Sequence, residues 1–256
     1  MKRRILTANN LNDFQKYLIL QEKSKATTKK YFRDAKVFAD FAGNEEIRKE
    51  IVIAYKEHLR ENHAVRSVNS MLASINSLFA FLGWFDLKIK ALKVQHQVFC
   101  SEEKELTKAE YARLCKAAQS NHNERLNLIL QTICATGIRV SELRFITVEA
   151  VKQSEATVSL KGKTRSIFIV KDLKKKLLRY AAKQNIKSGM IFVTRTSKPI
   201  NRTNIWREMK NLCKKANVNP QKVFPHNLRH LFARVFYNIE KDIAKLADIL
   251  GHSSIN

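Results

Sequence analysis

The sequence is poor in glycine and proline, the two residues that most often interrupt regular structure. Only 6 Gly and 3 Pro occur among 256 residues, so we expect long uninterrupted elements, mostly helices. It also lacks any apolar run of about twenty residues, and no membrane span is therefore expected. The basic residues 1–4 are followed only by Ile5 and Leu6 before the chain turns polar, so we expect no signal peptide.

Cysteine and acidic residues are scarce as well. The 4 Cys show no zinc-ligand spacing, and a chain of this size does not need a disulfide framework, so we predict reduced thiols that mostly pack. Asp and Glu number 23 against 48 Lys and Arg, a net charge of +25. Such a field attracts polyanions and, without a lipidation signal, favours nucleic acid over a membrane surface. The alternative is a solvated coat of lysines with no partner.

Helical periodicity dominates residues 1–90. Four apolar stripes with spacings of three and four residues predict four amphipathic helices, which would form a small bundle. The stripes are Leu11, Phe14 and Leu18; Tyr31, Ala35, Phe38 and Phe41; Ile47, Ile51, Tyr55 and Leu59; and Val68, Leu72, Ile75, Phe79 and Leu82. The periodicity is lost over 91–104, which we interpret as a linker. Thr107 and Glu110 then have the spacing of a capping box, which opens a second domain over 105–256.

The second domain mixes helices with a short β-hairpin. An apolar stripe predicts a helix that runs into Gly137. Alternating, β-branched segments predict two strands joined by a turn, and a third short strand further on. These segments are 156–160, the turn 161–164, 166–170 and 190–194, and helical patterns return over 201–217, 226–238 and 241–250. The predicted fold class is mainly α with a small antiparallel β-sheet, in two domains.

Two clusters in this domain carry groups suited to phosphate. Arg139 follows Gly137, and Glu142, one helical turn on, could hold its guanidinium; the alternative is an ordinary surface pair. His226 and Arg229 are three residues apart and would share one face of a helix, so that one group moves a proton while the other holds a phosphate.

Three further residues are ambiguous when taken alone. We interpret His230 as buried or structural, His252 as a histidine after a helix end, and Lys161 as a solvated turn lysine. A zinc site made of His226, His230 and His252 would lack an HExxH motif and any suitable Cys or acidic partner. We therefore expect no metal ion.

Together and in this order, these residues resemble the tyrosine recombinase, or phage integrase, family. Three segments match its motifs nearly letter for letter: ATGIRVSEL (135–143), HNLRHLFAR (226–234) and LGHSSI (250–255). The helical region 1–90 is similar to the family's core-binding, SAM-like domain. The resemblance implies a two-domain DNA clamp, made of that helical domain and an α+β catalytic domain.

The resemblance also implies catalytic roles. Arg139 and Arg229 would clamp the scissile phosphate and offset its charge in the transition state. Lys161 would protonate the leaving 5′-oxygen, but the hairpin is one residue shorter than the family's usual pattern, which leaves Lys163 as a competitor. His226 would assist proton transfer at the nucleophile.

Two residues would have supporting roles. His252 would hydrogen-bond the phosphate. Glu142 would support Arg139 by binding its guanidinium without contacting the phosphate. No cofactor is implied, because the bond energy is kept in a covalent 3′-phosphotyrosyl link.

The family's nucleophilic tyrosine follows its last histidine closely, but none of the 6 Tyr in this sequence follows His252. Tyr237 lies on the predicted helix of Arg229 and would point away from a phosphate held there. We therefore expect a chain truncated before its tyrosine, inactive in cleavage and monomeric. The full-length protein would act as a homodimer and homotetramer on DNA.

The expected partner is a double-stranded recombination site. Alternatives are a non-cleaving DNA-binding relative and a type IB topoisomerase, which shares the chemistry. Further DNA contacts are expected from Lys163 and from the start of a basic helix: Asn201, Arg202, Asn204 and Arg207. We expect a cytoplasmic, nucleoid-associated integrase of a mobile element or of a chromosome-resolution system.

Overall fold

The structure is a computed structural model that describes residues 3–94, 102–160, 163–194 and 196–251. Contacts divide the chain into residues 1–98 and 99–256, here called unit 1 and unit 2. Helices dominate both units, and the strands in the described ranges form one two-stranded antiparallel sheet. The predicted fold class is thereby confirmed. Within those ranges, each helix is too short or too polar to cross a bilayer.

Unit 1 is a bundle of four helices. They are α1 (Ala8–Leu20), α2 (Lys25–Ala42), α3 (Lys49–Asn62) and α4 (Val65–Phe81), followed by a short 3₁₀ turn at Phe85–Leu87. α1 begins at a capping box between Thr7 and Asn10, and α2 begins where Ser24 accepts a hydrogen bond from the amide of Thr27. These caps satisfy amides that have no partner within a helix. The four predicted helices are confirmed.

Aromatic rings fill the core of unit 1. Phe38 of α2 packs edge-on against Tyr55 of α3 and Phe79 of α4, with ring centroids 5.0 and 5.6 Å apart. All three rings are buried, and edge-to-face pairs stabilise a core beyond the area that they bury. Phe41, predicted to face the core, is exposed instead. It lies in the last turn of α2 and covers Tyr55 and His58 from outside.

One carboxylate is buried in unit 1. Asp34 on α2 accepts hydrogen bonds from Lys30 Nζ (2.6 Å), Arg33 Nη2 (3.1 Å) and Ser74 Oγ on α4 (2.8 Å). Lys30 Nζ also donates to the carbonyl of Ser70 on α4 (2.9 Å). A buried charge must be paired, and this pairing joins α2 to α4.

Unit 2 is built around a central helix. Its helices are α5 (Lys108–Ser120), α6 (Glu124–Thr136), α7 (Val148–Gln153), α8 (Lys171–Lys183), α9 (Arg202–Ala216), α10 (Pro225–Glu240) and α11 (Ile243–Leu250), with 3₁₀ turns at Glu102–Lys104, Val140–Phe145 and Pro220–Lys222. α6 packs against α5, α8, α9 and α10. Its apolar side chains are buried on several faces, as expected of a helix inside a core. The predicted capping box of Thr107 and Glu110 opens α5.

The hairpin differs from the prediction in its turn. β1 (Glu155–Leu160) pairs with β2 (Lys163–Phe168), with Val158 opposite Arg165. β2 thus begins at Lys163 rather than at residue 166, and the predicted turn residues 163 and 164 belong to the ladder. Ladder hydrogen bonds are made by the backbone, so polar side chains do not end them.

The prediction of a third strand over 190–194 was wrong, because the described residues of this segment form only isolated bridges. Met190 forms an isolated bridge with Thr147, and Val193 forms another with Pro199. The second bridge is flanked by backbone hydrogen bonds from the Ile200 amide to the Phe192 carbonyl (3.2 Å) and from the Thr194 amide to the Lys198 carbonyl (2.8 Å), but the pairing does not extend into a ladder. Ile191 and Phe192 are nevertheless buried, which explains the strand-like apolar pattern.

Candidate active site

The site is assembled where α6 ends. Gly137 ends this helix in the left-handed region, at a φ of 62°. A Cβ at this position would lie 2.6 Å from Phe232 Cδ1 of α10 and 2.9 Å from Leu250 Cδ2 of α11. Only a glycine therefore allows α10 and α11 to approach the end of α6 this closely.

Arg139 follows this glycine and is held by a buried carboxylate. Its Nη1 donates to Glu142 Oε1 (2.9 Å) and its amide donates to Glu142 Oε2 (2.8 Å). The Glu142 side chain is 1% exposed, whereas that of Arg139 is 43% exposed. The predicted pair is therefore present, and Glu142 fixes one side of the guanidinium while another side stays open to a ligand.

Glu142 is charged despite its burial. Burial opposes its ionisation, but hydrogen bonds from Arg139 and the charges of Arg165 and Arg139 outweigh that effect and hold the pKa of Glu142 below its ordinary value. A carboxylate kept ionised in this way remains a fixed acceptor for both guanidinium groups.

Arg165 is a residue of this site that the motifs did not reveal. Its Nη2 donates to Glu142 Oε2 (2.6 Å) and its Nη1 donates to the carbonyl of Ile249 in α11. A signal was present in the strand pattern, because Arg165 alternates with the buried Ile167 and Ile169, whereas Thr164, Ser166 and Phe168 between them are exposed. Period two thus places Arg165 on the inner face.

Arg229, in the first turns of α10, is the most enclosed of the three arginines. It is 4% exposed. Nη1 donates to the carbonyl of Gly137 (2.5 Å) and Nη2 to that of Leu250 (2.6 Å). Burial, followed by the charges of Arg139 and Arg165, lowers the pKa of Arg229 to about 10. Arg229 is therefore still cationic at neutral pH, and it lies in a strongly positive environment.

His226 and His230 face one another on α10. Their ring centroids lie 4.4 Å apart at an interplanar angle of 78°. Partial desolvation lowers the pKa of His226 first, and the charges of His230, Arg229, Arg139 and Arg202 lower it further. Desolvation also lowers the pKa of His230.

Both rings are accordingly neutral at pH 7, as acceptors or shuttles of protons must be. His230, interpreted from the sequence as buried or structural, is exposed. The preceding residue of the helix, Arg229, faces the core instead. The described residues contain no group of three His, Cys, Asp or Glu placed to hold a metal ion.

Residues 104–256 match the phage integrase family, and residues 11–84 match its N-terminal SAM-like domain. The chain belongs to the phage integrase family.

Individual relatives agree with that assignment. Tyrosine recombinase XerA of Pyrococcus furiosus is 26% identical over 100% of this chain and 90% of the relative. XerD of Halalkalibacterium halodurans is 28% identical over 96% of this chain and 90% of its own length. Among solved structures, a lambda integrase dimer bound to a core site is similar in fold, with a TM-score of 0.78, 17% identity and coverage of 97% of this chain and 95% of that one.

Two of the integrase-motif residues lie outside the described residues. These are Lys161, which directly follows the last residue of β1 in the sequence, and His252, which directly follows Gly251. Lys163, the competing lysine, is the first residue of β2 and pairs with Leu160. The structure therefore brings Arg139, Glu142, His226 and Arg229 together.

Four of the further residues expected to contact DNA, Asn201, Arg202, Asn204 and Arg207, lie at the start of α9. Asn201 caps this helix by accepting a hydrogen bond from the Asn204 amide (2.8 Å), and Arg207 Nη2 donates to Asn204 Oδ1 (3.0 Å). Arg202 and Arg207 are exposed. The charge of Arg202 also acts on His226, so the N-terminus of α9 lies beside the integrase site. Asn201 has a structural role as a cap in addition to any contact with DNA.

Tyr237 lies near the end of α10. It is 43% exposed, and the Lys241 ammonium lies 5.6 Å from its ring centroid. Tyr55 and Tyr180 are buried in the cores of units 1 and 2. Position 237 lies two helical turns beyond Arg229, outside the cluster that Arg229 forms with Gly137 and Leu250.

Proposed function

We propose that this chain acts in site-specific DNA recombination, with unit 2 holding the scissile phosphate of a duplex. One observation carries the proposal: Arg139 and Arg165 both bind the Glu142 carboxylate, and the buried Arg229 lies close enough to feel the charge of all three. Three cations against one carboxylate leave a net positive site beside neutral histidines. A phosphodiester fits this chemistry, because guanidinium groups match phosphate oxygens in pairs and stabilise the charge that develops in the transition state.

Each residue then has a role in the proposed reaction. Arg139 and Arg229 bind the non-bridging oxygens, and Glu142 positions Arg139. His226 accepts or returns the proton of the nucleophile. Two roles rest on the family motifs alone: Lys161, with Lys163 as the alternative, protonates the leaving 5′-oxygen, and His252 hydrogen-bonds the phosphate.

We further propose that these 256 residues bind the recombination site without cutting it. A 3′-phosphotyrosyl intermediate needs a tyrosine that can reach the phosphate, and no tyrosine follows His252. Both units contact the duplex in this proposal, which the charge spread along the chain favours. The bound species is a monomer on each half-site, in the cytoplasm. With its nucleophile, the protein would act as a dimer and a tetramer.

Selection from a random duplex library tests the binding. We expect enrichment of one sequence, and a plot of log K against log salt with a slope of about −6 or steeper, as for contacts to six or more phosphates. Arg139→Ala should weaken binding to the selected duplex about tenfold, as loss of a charge-assisted contact does. Arg179→Ala, which removes an exposed arginine of α8, is the matched control. Failure to enrich any sequence, or a flat salt plot, would overturn the proposal.

A nicked suicide duplex tests the absence of cleavage. The 256-residue chain should form no adduct that survives SDS. An adduct that forms with the unmodified chain and disappears in Tyr237→Phe would show that Tyr237 is the nucleophile, and it would overturn the proposed lack of cleavage.

A chimera separates a recombinase from a relative that only binds DNA. The segment that follows the last motif histidine in the Halalkalibacterium halodurans XerD would be fused after His252. In this proposal the chain lacks only its nucleophile, so the chimera should cut the selected duplex and become covalently attached. A chimera that binds as tightly as the parent and never cuts would favour the non-cleaving relative.

A further inference from the structure

Arg165 joins three segments that are distant in the sequence. It is a β2 residue, it donates through Nη2 to Glu142 Oε2 at 2.6 Å, and it donates through Nη1 to the carbonyl of Ile249. The Glu142 contact spans 23 residues and the Ile249 contact spans 84. One side chain therefore connects the hairpin, the segment of Arg139 and the end of α11.

The surroundings of Arg165 leave room for an arginine. A Cβ on Gly251 would lie 2.6 Å from Arg165 Cδ and 3.0 Å from its Nε, so the glycine allows the side chain to pass. A guanidinium presents separate N–H groups to acceptors in two directions, whereas a lysine ammonium is a single point of charge on a flexible stem. The two acceptors here belong to different segments, and the fork suits both at once.

Arg165 is also too enclosed to bind a phosphate itself, so any effect on phosphate binding must come through the residues that it contacts. Its side chain is 12% exposed, against 43% for Arg139. In the sequence it lies shortly after Lys161 and Lys163, and its partner segment ends at Gly251, immediately before His252. The segments that Arg165 connects therefore contain or adjoin the proposed phosphate ligands that lie outside α10. These ligands are Arg139, Lys161 (or Lys163) and His252.

We infer that Arg165 is a positioning residue, which locks the hairpin and the C-terminus of α11 onto Glu142 and so sets the geometry of the phosphate site. This inference rests on the proposed function for its consequence in DNA binding. It differs from that proposal because Arg165 itself need not touch the DNA.

The test uses Arg165→Ala and Arg165→Lys in the full chain, with Arg179→Ala as the matched control. Two probes are measured: the duplex selected above, and inorganic phosphate. Phosphate binding is read as the rise in the unfolding midpoint of unit 2, followed by Trp206 fluorescence in a Trp84→Phe background against sodium chloride of equal ionic strength. A ligand that binds only the folded state raises this midpoint.

We expect Arg165→Ala to weaken binding of the selected duplex about tenfold and to lose the effect of phosphate. Arg165→Lys should restore the charge but not the binding. Millimolar ethylguanidinium should restore both readouts in Arg165→Ala alone, because it can refill the space between Glu142 and the Ile249 carbonyl. A residue needed only for folding would not be rescued in this way.

Several outcomes overturn the inference. They are wild-type binding by both Arg165 variants, full restoration by Arg165→Lys, and no rescue by ethylguanidinium. A wild-type chain that selects no duplex sequence but shows an Arg165-dependent effect of phosphate would overturn the recombinase proposal and support this inference.

Discussion

Each unit buries one carboxylate, and the two are paired in different ways. Asp34 in unit 1 takes its basic partners, Lys30 and Arg33, from its own helix and one hydrogen bond from the neighbouring helix. Glu142 in unit 2 takes Arg139 from its own turn and Arg165 from a strand 23 residues away. The same chemistry therefore joins two helices in one unit and, in the other, holds together the residues of the proposed phosphate site.

The exposure of the partners differs as well. The side chains of Lys30 and Arg33 are 31% and 70% exposed, so both can return to water if Asp34 is lost. Arg165 is 12% exposed and would remain buried without its counter-charge. A buried charge left unpaired destabilises far more than an exposed one, and unit 2 should therefore depend more on its carboxylate.

Loss of the carboxylates gives the largest expected effect. Glu142→Gln should lower the free energy of unfolding of unit 2 by about 3 kcal/mol, because it leaves a buried guanidinium unpaired. Asp34→Asn should lower that of unit 1 by only about 1 kcal/mol. The sequence has 2 Trp, one in each unit, so urea unfolding can be followed through Trp206 and Trp84 separately. Equal losses in the two units would contradict this comparison.

Two glycines with positive φ provide the next contrast. Gly137 at 62° has side chains of α10 and α11 against it, whereas Gly83 of unit 1 at 72° has no atom within 4 Å of the position that a Cβ would take. Gly137→Ala should destabilise unit 2 by about 3 kcal/mol, from strain and overpacking together. Gly83→Ala should cost about 1 kcal/mol, from backbone strain alone. Thermal or urea unfolding measures the loss of stability in each variant. If backbone strain were the only cause, the two variants would lose the same free energy of unfolding.

Mild acid should weaken unit 2 through its histidines. The folded-state pKa values of His226 and His230 lie below the ordinary 6.5, so the unfolded chain binds more protons just below that pH. The stabilisation is complete above 6.5 and is lost as the pH falls through the folded pKa values. Urea midpoints from pH 7.5 to 5, read through Trp206, should therefore fall. The double variant His226→Gln, His230→Gln should flatten this part of the profile, and an unchanged slope would refute the assignment.

The smallest expected effect is a gain of stability in unit 1. The Tyr55 hydroxyl is buried without a hydrogen-bond partner among the described residues. Burial, and then the charge of Asp34, raises the pKa of Tyr55 to about 12. Tyr55→Phe keeps the ring and removes an unsatisfied group, so unit 1 should gain about 1 kcal/mol. Urea unfolding followed through Trp84 measures this, and a loss would mean that the hydroxyl finds a partner.

The helices of both units were predictable because their causes are local. Apolar spacing gave α1 to α4, and the capping pattern of Thr107 and Glu110 gave the start of α5. The hairpin turn and the segment 190–194 were predicted wrongly, because side-chain patterns do not show how far backbone pairing extends. Phe41 and His230 were misplaced for a related reason. Periodicity shows which residues share a helix face, but not where the neighbouring helix stops.

The candidate site was predictable only where a motif is itself a contact. Arg139 and Glu142 are three residues apart, so the sequence could suggest their pairing. Arg165 meets Ile249 across 84 residues, and a single sequence contains no signal for a contact of that length. Only the alternation of Arg165 with Ile167 and Ile169 indicated that this arginine faces inward.

The two backbone carbonyls that α11 gives to arginines have a consequence for how the protein is made. Arg165 binds the carbonyl of Ile249 across 84 residues, and Arg229 binds that of Leu250 across 21 residues. Most of unit 2 can collapse while the ribosome is still adding residues, but these contacts must wait for α11. A nascent chain should thus complete the proposed phosphate site only after α11 has left the ribosomal tunnel.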